Sequence, residues 1–169
     1  SGIKNCVATL GTAFTKFHFN KIKRYTNKII FCFDGDAAGL NAAIRGIDLI
    51  LEQGMNVRIC SFPEGEDPDS FAKSHSLEEI KVYLSEQAKD FIQFKTDLLL
   101  EKADNDPVKK ASTVREIVQS ISKIPDKIKQ EIYLRECANK MDVSEAVLFN
   151  ALAQEKNKKS TPVRKINNG

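Results

Sequence analysis

Hydrophobic residues follow two rhythms along this chain. Three short runs, Asn5 to Leu10, Lys28 to Phe33 and Asn56 to Phe62, are rich in β-branched or aromatic residues and bounded by Gly, Asp, Asn or Pro. That is the pattern of buried strands. Between them the spacing becomes helical. Thr15 to Thr26 has Phe17, Ile22 and Tyr25 as its expected apolar side, and Ala37 to Gln53 has Leu40, Ile44, Ile47 and Leu51, with Gly54 as the stop. Strand, helix, strand, helix, strand with nearly continuous apolar strands predicts an α/β fold. Its parallel sheet would be covered by helices on both faces and joined by right-handed crossovers. Three strands make a thin sheet, so at least one further strand is expected N-terminal to Ser1.

From Asp67 onward the pattern predicts helices only. Asp67-Pro68 and Asp106-Pro107 combine an N-cap residue with Pro at the first helical position, and Pro125 and Ser144 begin two more helices. Leu98, Leu99, Ile117, Ile121, Ile128, Ile132, Leu134, Val147, Leu148 and Leu152 supply the apolar stripes of a small all-α bundle. The expected organisation is an α/β unit over residues 1–75, a helical unit over 76–155 and a basic, disordered tail over 156–169.

Composition narrows the class. With 169 residues, 41% hydrophobic and 29% charged, the chain is neither collagen-like nor low-complexity nor a disulfide scaffold. No apolar run approaches the roughly 20 residues needed to cross a bilayer. The opening Ser1-Gly2-Ile3-Lys4-Asn5 lacks the plan of a signal peptide, so a soluble, cytoplasmic protein without a membrane partner is expected. A start without Met reads as a piece of a longer protein. Cys6, Cys32, Cys60 and Cys137 form no C-x-x-C, His18 and His75 are isolated, and the cysteines read as small core residues.

The net charge of +3 hides a division. Residues 1–35 hold six Lys/Arg against one acid, residues 36–106 seven against fifteen, and residues 107–169 thirteen against seven. An acidic middle between basic flanks suits a protein that gathers cations at carboxylates and holds a polyanion nearby. Many of those acids also fit solvated helix faces, so only carboxylates at special backbone positions carry weight.

Two segments qualify. In Ile29-Ile30-Phe31-Cys32-Phe33-Asp34-Gly35-Asp36-Ala37-Ala38-Gly39 an apolar strand ends in two aspartates at the edge where open α/β sheets bind ligands. Residues i and i+2 of extended chain point the same way, so Asp34 and Asp36 can converge on one hard cation. A helix cap is the alternative for Asp36, though it leaves Asp34 unexplained. In Phe62-Pro63-Glu64-Gly65-Glu66-Asp67-Pro68-Asp69, Asp67 read alone is an N-cap and Asp69 a first-turn acid. Their expected place on the same sheet edge as Asp34 and Asp36 favours ligation. Mg²⁺ fits such a site, taking one or two carboxylates and completing its shell with water and phosphate. A third segment, Val7 to Thr15, runs a strand through Gly11-Thr12 into a helix. It reads equally as a phosphate-binding loop or as a plain loop capped by Thr15. Lys16, Lys21, Lys23, Arg24 and Lys28 form either a polyanion patch or a solvated face.

The D-G-D-x-A-G of Asp34 to Gly39, preceded by V-A-T-L-G-T at Val7 to Thr12 and followed by G-E-D-P-D at Gly65 to Asp69, resembles the TOPRIM domain of bacterial replicative DNA primase of the DnaG type. The resemblance covers residues 1 to about 155. It implies a truncated TOPRIM-type parallel sheet followed by the helical subdomain of the primase catalytic core, in an RNA polymerase that primes single-stranded DNA from ribonucleoside triphosphates and yields an RNA primer. It further implies Asp34, Asp36, Asp67 and Asp69 as catalytic metal ligands, with Mg²⁺ or Mn²⁺ as the ion. The family's catalytic Glu, in a motif E-G-Y-x-D, does not occur ahead of Val7. Its zinc domain and its helicase-binding C-terminal domain are likewise expected outside this sequence, and the chain alone is expected to be inactive. Competing readings are a type IA topoisomerase, an OLD-type nuclease, a phosphotransferase with an aspartyl nucleophile, and a non-catalytic interaction module.

Overall fold

A computed structural model describes residues 2–8, 14–34, 36–103 and 105–160. The apolar runs at 28–33 and 56–62 become β1 (Lys28–Phe33) and β2 (Asn56–Ser61), paired in parallel from Lys28 opposite Asn56 to Phe33 opposite Ser61. The intervening helix, α2 (Ala37–Glu52), ends before Gly54, whose φ of +71° reverses the chain into β2. The third strand differs from expectation. Residues 5–8 are irregular, Thr9 and Leu10 lie outside the described residues, and the third strand is instead β3 (Lys89–Asp90). It pairs antiparallel with β2, Arg58 opposite Asp90, giving a mixed sheet in the order β1-β2-β3. The Arg58 guanidinium donates to the carbonyls of Ala88 and, at 3.4 Å, Ser85, and so fixes the chain entering β3.

The sheet's two faces receive different helices. Cys32 and Phe62 meet α3 (Pro68–Ser74) and α4 (Leu77–Gln87) through Phe71, Ile80 and Tyr83, whose hydroxyl donates to the Ser61 carbonyl at 2.8 Å. Phe31, Phe33, Val57 and Ile59 face the other way. They meet Ala43, Ile47 and Ile50 of α2, Phe19 of α1 (Lys16–Lys23) and Phe91 and Ile92 of α5 (Phe91–Ala103). The same core runs on without a break into α6 (Pro107–Ser122), α7 (Lys127–Met141) and α8 (Glu145–Ser160), through Ile117, Ile121, Leu134, Met141, Leu148 and Leu152. Each such fully buried side chain contributes about 1.5–3 kcal/mol.

Two helices present faces other than those expected. In α1 the buried residue is Phe19, 1% exposed, with Ile22 partly buried beside it, whereas Phe17 and Tyr25 are 62% and 90% exposed. Phe19 is the ring that stacks with Phe14 at 5.3 Å, and Phe14 in turn meets Phe31 of the sheet. In the bundle, Ile128, Ile132 and Val147 are exposed. Gln130 decides the orientation of α7, its buried amide donating to the carbonyls of Ile121, Ser122 and Ile124 at the C-terminus of α6. Turning α7 to bury Ile128 would strip those carbonyls of a donor. Leu98 is half-buried, and the Leu99 side chain lies outside what is described. The disordered tail expected from 156 is helical to Ser160, and residues 161–169 lie outside the described residues.

A polar clamp ties α2 to the bundle. Ser120 donates to Asp48 Oδ1 at 2.7 Å, Lys123 Nζ to Asp48 Oδ2 at 2.8 Å, and Lys95 Nζ to Ser120 Oγ at 2.5 Å while lying 3.7 Å from Asp48 Oδ1. Burial pushes the Asp48 carboxyl up, but Lys95 and the bonds from Lys123 and Ser120 outweigh it and hold it below its ordinary value. Burial also lowers the Lys95 ammonium against the opposing pull of Asp48.

Candidate functional site

The apolar run of β1 stops at Phe33, and Asp34 emerges exposed at the sheet's C-terminal edge. Asp36 is the N-cap of α2, its Oδ1 accepting from the Gly39 N–H at 2.6 Å. That turn is tight enough to require glycine. A Cβ on Gly39 would lie 2.5 Å from the Asp34 carbonyl oxygen and 3.1 Å from Asp36 Oδ1. Two helical turns further on, a Cβ on Gly46 would lie 2.8 Å from the Phe31 ring, so α2 rests closely on the strand that leads to Asp34. Gly35 itself lies outside the described residues.

The second acidic segment leaves β2 on the same edge, because the parallel register sets Ser61 beside Phe33. Asp67 caps α3, accepting from the Ser70 N–H at 2.7 Å while Ser70 Oγ accepts from the Asp67 N–H at 3.0 Å. The bond from the Ser70 N–H is the main cause holding the Asp67 carboxyl below its usual value. Asp69 makes an exposed ion pair with Lys73 at 2.5 Å. Gly65, at φ +82°, turns the loop, and the Oε2 of Glu66 beside it is buried with no hydrogen-bond partner among the described residues. The sequence reading singles out Asp67 and Asp69 and passes over this third acid. Its only signal is its place between Gly65 and the cap.

The fold therefore brings all four aspartates to one edge. It does not draw them into one tight cluster. Among the described residues no three His, Cys, Asp or Glu side chains stand close enough to share a cation. Asp36 and Asp67 turn into the first turns of their own helices, and Asp69 leans to Lys73. The donor set nevertheless fits a hard divalent ion. Asp34 is exposed, and the cap occupies Oδ1 of Asp36, leaving its second oxygen outside that bond.

Gly11 and Thr12, the phosphate-loop candidates, lie outside the described residues. Thr15 is the N-cap of α1, with the His18 ring Nδ1 accepting from its N–H at 3.1 Å. Of the cysteines, Cys6 is exposed, against expectation, because the segment that holds it does not enter the sheet. Burial pushes the Cys32 thiol up to about 12 and those of Cys60 and Cys137 to about 11, so none of these three is a ready nucleophile. No helix among the described residues is long and apolar enough to cross a membrane.

Comparison with known proteins adds a frame to this geometry. Residues 1–72 match the Toprim-like family model, and residues 92–146 match that of the DnaB-helicase binding domain of primase. A DNA primase of Clostridium acetobutylicum is 30% identical over 169 residues, covering 98% of this chain and 28% of that protein. A DNA primase domain from Pseudomonas aeruginosa superposes with a TM-score of 0.78 at 29% identity, over 90% of this chain and 49% of the other. A DnaG primase catalytic domain bound to ssDNA gives a TM-score of 0.70 at 28% identity, over 82% and 45%. The chain thus spans under a third of the curated relative and about half of each solved chain. The second family match falls on α5 to the start of α8, whereas the sequence reading places helicase contact outside this chain.

Proposed function

Because the chain belongs to the bacterial DNA primase family of the DnaG type, as a TOPRIM segment with the helices that follow it, we propose that it forms part of the catalytic core of a DNA-directed RNA polymerase. The full protein lays short RNA primers on single-stranded DNA from ribonucleoside triphosphates, in the cytoplasm, by metal-dependent nucleotidyl transfer. The observation that carries this reading is the parallel register delivering Asp34 and Asp36, and then Asp67 and Asp69, to one sheet edge.

In this reading Asp34 and Asp36 hold Mg²⁺ or Mn²⁺, and Asp67 and Asp69 form the second acidic pair. A cation held there supplies positive charge against the attacking 3′ oxygen, the α-phosphate and the leaving pyrophosphate. The chain itself contributes placement. The Gly39 turn brings the Asp34 carbonyl and the Asp36 carboxylate close together, and the Ser70 N–H favours the ionised form of Asp67. The exposed Lys73 partner of Asp69 is of the weak kind that exchanges readily. The family's E-G-Y-x-D acid is not among these 169 residues, so primer synthesis requires the longer protein. Residues 92–146 contact the replicative helicase, in keeping with their family match.

Mn²⁺ relaxation titration of the chain, wild type against Asp34→Ala, tests the metal site, with binding expected only in the wild type. Primer synthesis by the longer protein carrying Asp34→Ala at the wild-type rate, or by the 169 residues alone, would overturn the reading. Co-sedimentation of the chain with the replicative helicase tests the helicase contact, and a helicase that sediments free of it refutes that part.

A further inference from the structure

The outward face of α1 carries an arrangement that neither the core nor the carboxylate edge uses. Phe17, Lys21, Arg24 and Tyr25 recur at i, i+4, i+7 and i+8, one stripe along the helix and its C-terminal turn. Phe17 is 62% and Tyr25 90% exposed, and Lys21 Nζ sits 4.4 Å from the centre of the Phe17 ring. Lys28, at the start of β1, is exposed nearby. Two other cations of this segment are engaged elsewhere, Lys16 with Glu52 at 2.8 Å and Lys23 with the Gln53 carbonyl at 2.6 Å. Neither Lys21 nor Arg24 forms an ion pair with a carboxylate among the described residues, so their charge faces solvent.

A lone exposed ring needs no explanation. Two exposed rings interleaved with unneutralised cations on one stripe make a specific chemical surface. Rings accept the faces of unpaired bases, and cations accept the phosphates between them. An acidic polypeptide would match the charge but leave the rings unused, and duplex DNA hides its base faces.

We propose that the stripe of Phe17, Lys21, Arg24 and Tyr25, together with Lys28, is a binding surface for single-stranded nucleic acid, with bases stacking on the two rings. The six residues of β1, at about 3.3 Å each, put Lys28 about 20 Å from the Asp34 edge. The surface is therefore a second hold on the strand, made by residues other than the carboxylates. The proposal rests on the reading that the chain acts on single-stranded DNA, and names where else it grips that strand.

The test uses the 169-residue chain and fluorescein-labelled (dT)20 in an anisotropy titration at low salt. Phe17→Ala and Tyr25→Ala are each expected to weaken binding by about 5-fold or more. Lys21→Gln and Arg24→Gln should each reduce the slope of log affinity against log salt by about 0.7. Lys127→Gln, which removes the same charge from an exposed site on α7, should leave the ring dependence intact. The chain contains no Trp, so Phe17→Trp creates a unique probe whose fluorescence should be quenched by the oligonucleotide. A parallel (rU)20 titration reports whether the surface prefers DNA or the RNA product.

Undetectable oligonucleotide binding, alanine variants that bind like wild type, unquenched fluorescence of the Phe17→Trp variant, or poly-glutamate or duplex DNA competing as well as (dT)20 would each overturn the proposal. Any of these results alongside normal primer synthesis by the longer protein leaves the catalytic reading standing. Loss of that reading with the ring dependence intact would leave this surface standing instead.

Discussion

Replacing Asp48 with Asn tests whether the clamp between α2 and the bundle holds the fold together. In the wild type one carboxylate answers two ammonium groups, Lys123 at 2.8 Å and Lys95 at 3.7 Å, with Ser120 bridging. The Lys95 side chain is 5% exposed and that of Asp48 23%. Stripping the partner from a fully buried pair costs about 3–5 kcal/mol. Partial exposure of Asp48 screens the loss, and Asn keeps an acceptor for Ser120. The expected cost is therefore about 2 kcal/mol, or ~4–8 °C in midpoint for a domain of this size. Urea unfolding followed by circular dichroism measures it.

The pH dependence supplies a second check on the same variant. A carboxyl whose folded pKa is depressed contributes stability above its unfolded value near 3.9, and loses it as pH falls through the folded value. The wild-type and Asp48→Asn curves should therefore converge in acid. Lys95→Met combined with Asp48→Leu should recover most of the loss, since an apolar pair of similar volume replaces a buried ionic one at little cost. A difference below about 0.5 kcal/mol at pH 7, or one that persists unchanged at pH 3, would refute the account.

Other substitutions probe the site and its support. Gly39→Ala places a methyl group 2.5 Å from the Asp34 carbonyl, so the turn must open, and Mn²⁺ relaxation should show weakened or absent binding in a chain that still folds by circular dichroism. Gly46→Ala meets the Phe31 ring at 2.8 Å and should cost about 1–3 kcal/mol in urea unfolding. In a disulfide-exchange assay at pH 8, Cys6 should react quickly, while Cys32, Cys60 and Cys137 wait for unfolding.

What the sequence makes legible is the part governed by local rules. Lys28 to Phe33 and Asn56 to Ser61 are strands because their apolar runs are short, β-rich and bounded. Asp36, Asp67 and Asp106 cap helices because their side chains reach the first free N–H groups. The failures lie where a distant partner decides. Lys89–Asp90 has no apolar alternation, and it becomes a strand through backbone pairing to β2 and the Arg58 bonds. In α1 the apolar residues are Phe17, Phe19 and Ile22, and it is the contact of Phe19 with Phe14, itself against Phe31 of the sheet, that buries Phe19 rather than Phe17. Ile128 and Ile132 have ideal helical spacing but lose to Gln130, whose amide is needed at the end of α6. At the site, the aspartates are legible as residues and as an edge. The partners that hold Asp69 and cap Asp67 belong to the following turn.

The unbroken core between the sheet and the last helices has a consequence for how the chain emerges from a ribosome. Both long strands and α2 exist once Ser61 has been made, yet Phe91 and Ile92 of α5, which complete the cover of the sheet's core face, come some thirty residues later. At about 5–20 residues per second, the part of that face that α5 covers stays open for ~1.5–6 s of synthesis. Over that interval the nascent sheet carries a half-covered apolar surface, the kind of transient exposure from which chains self-associate.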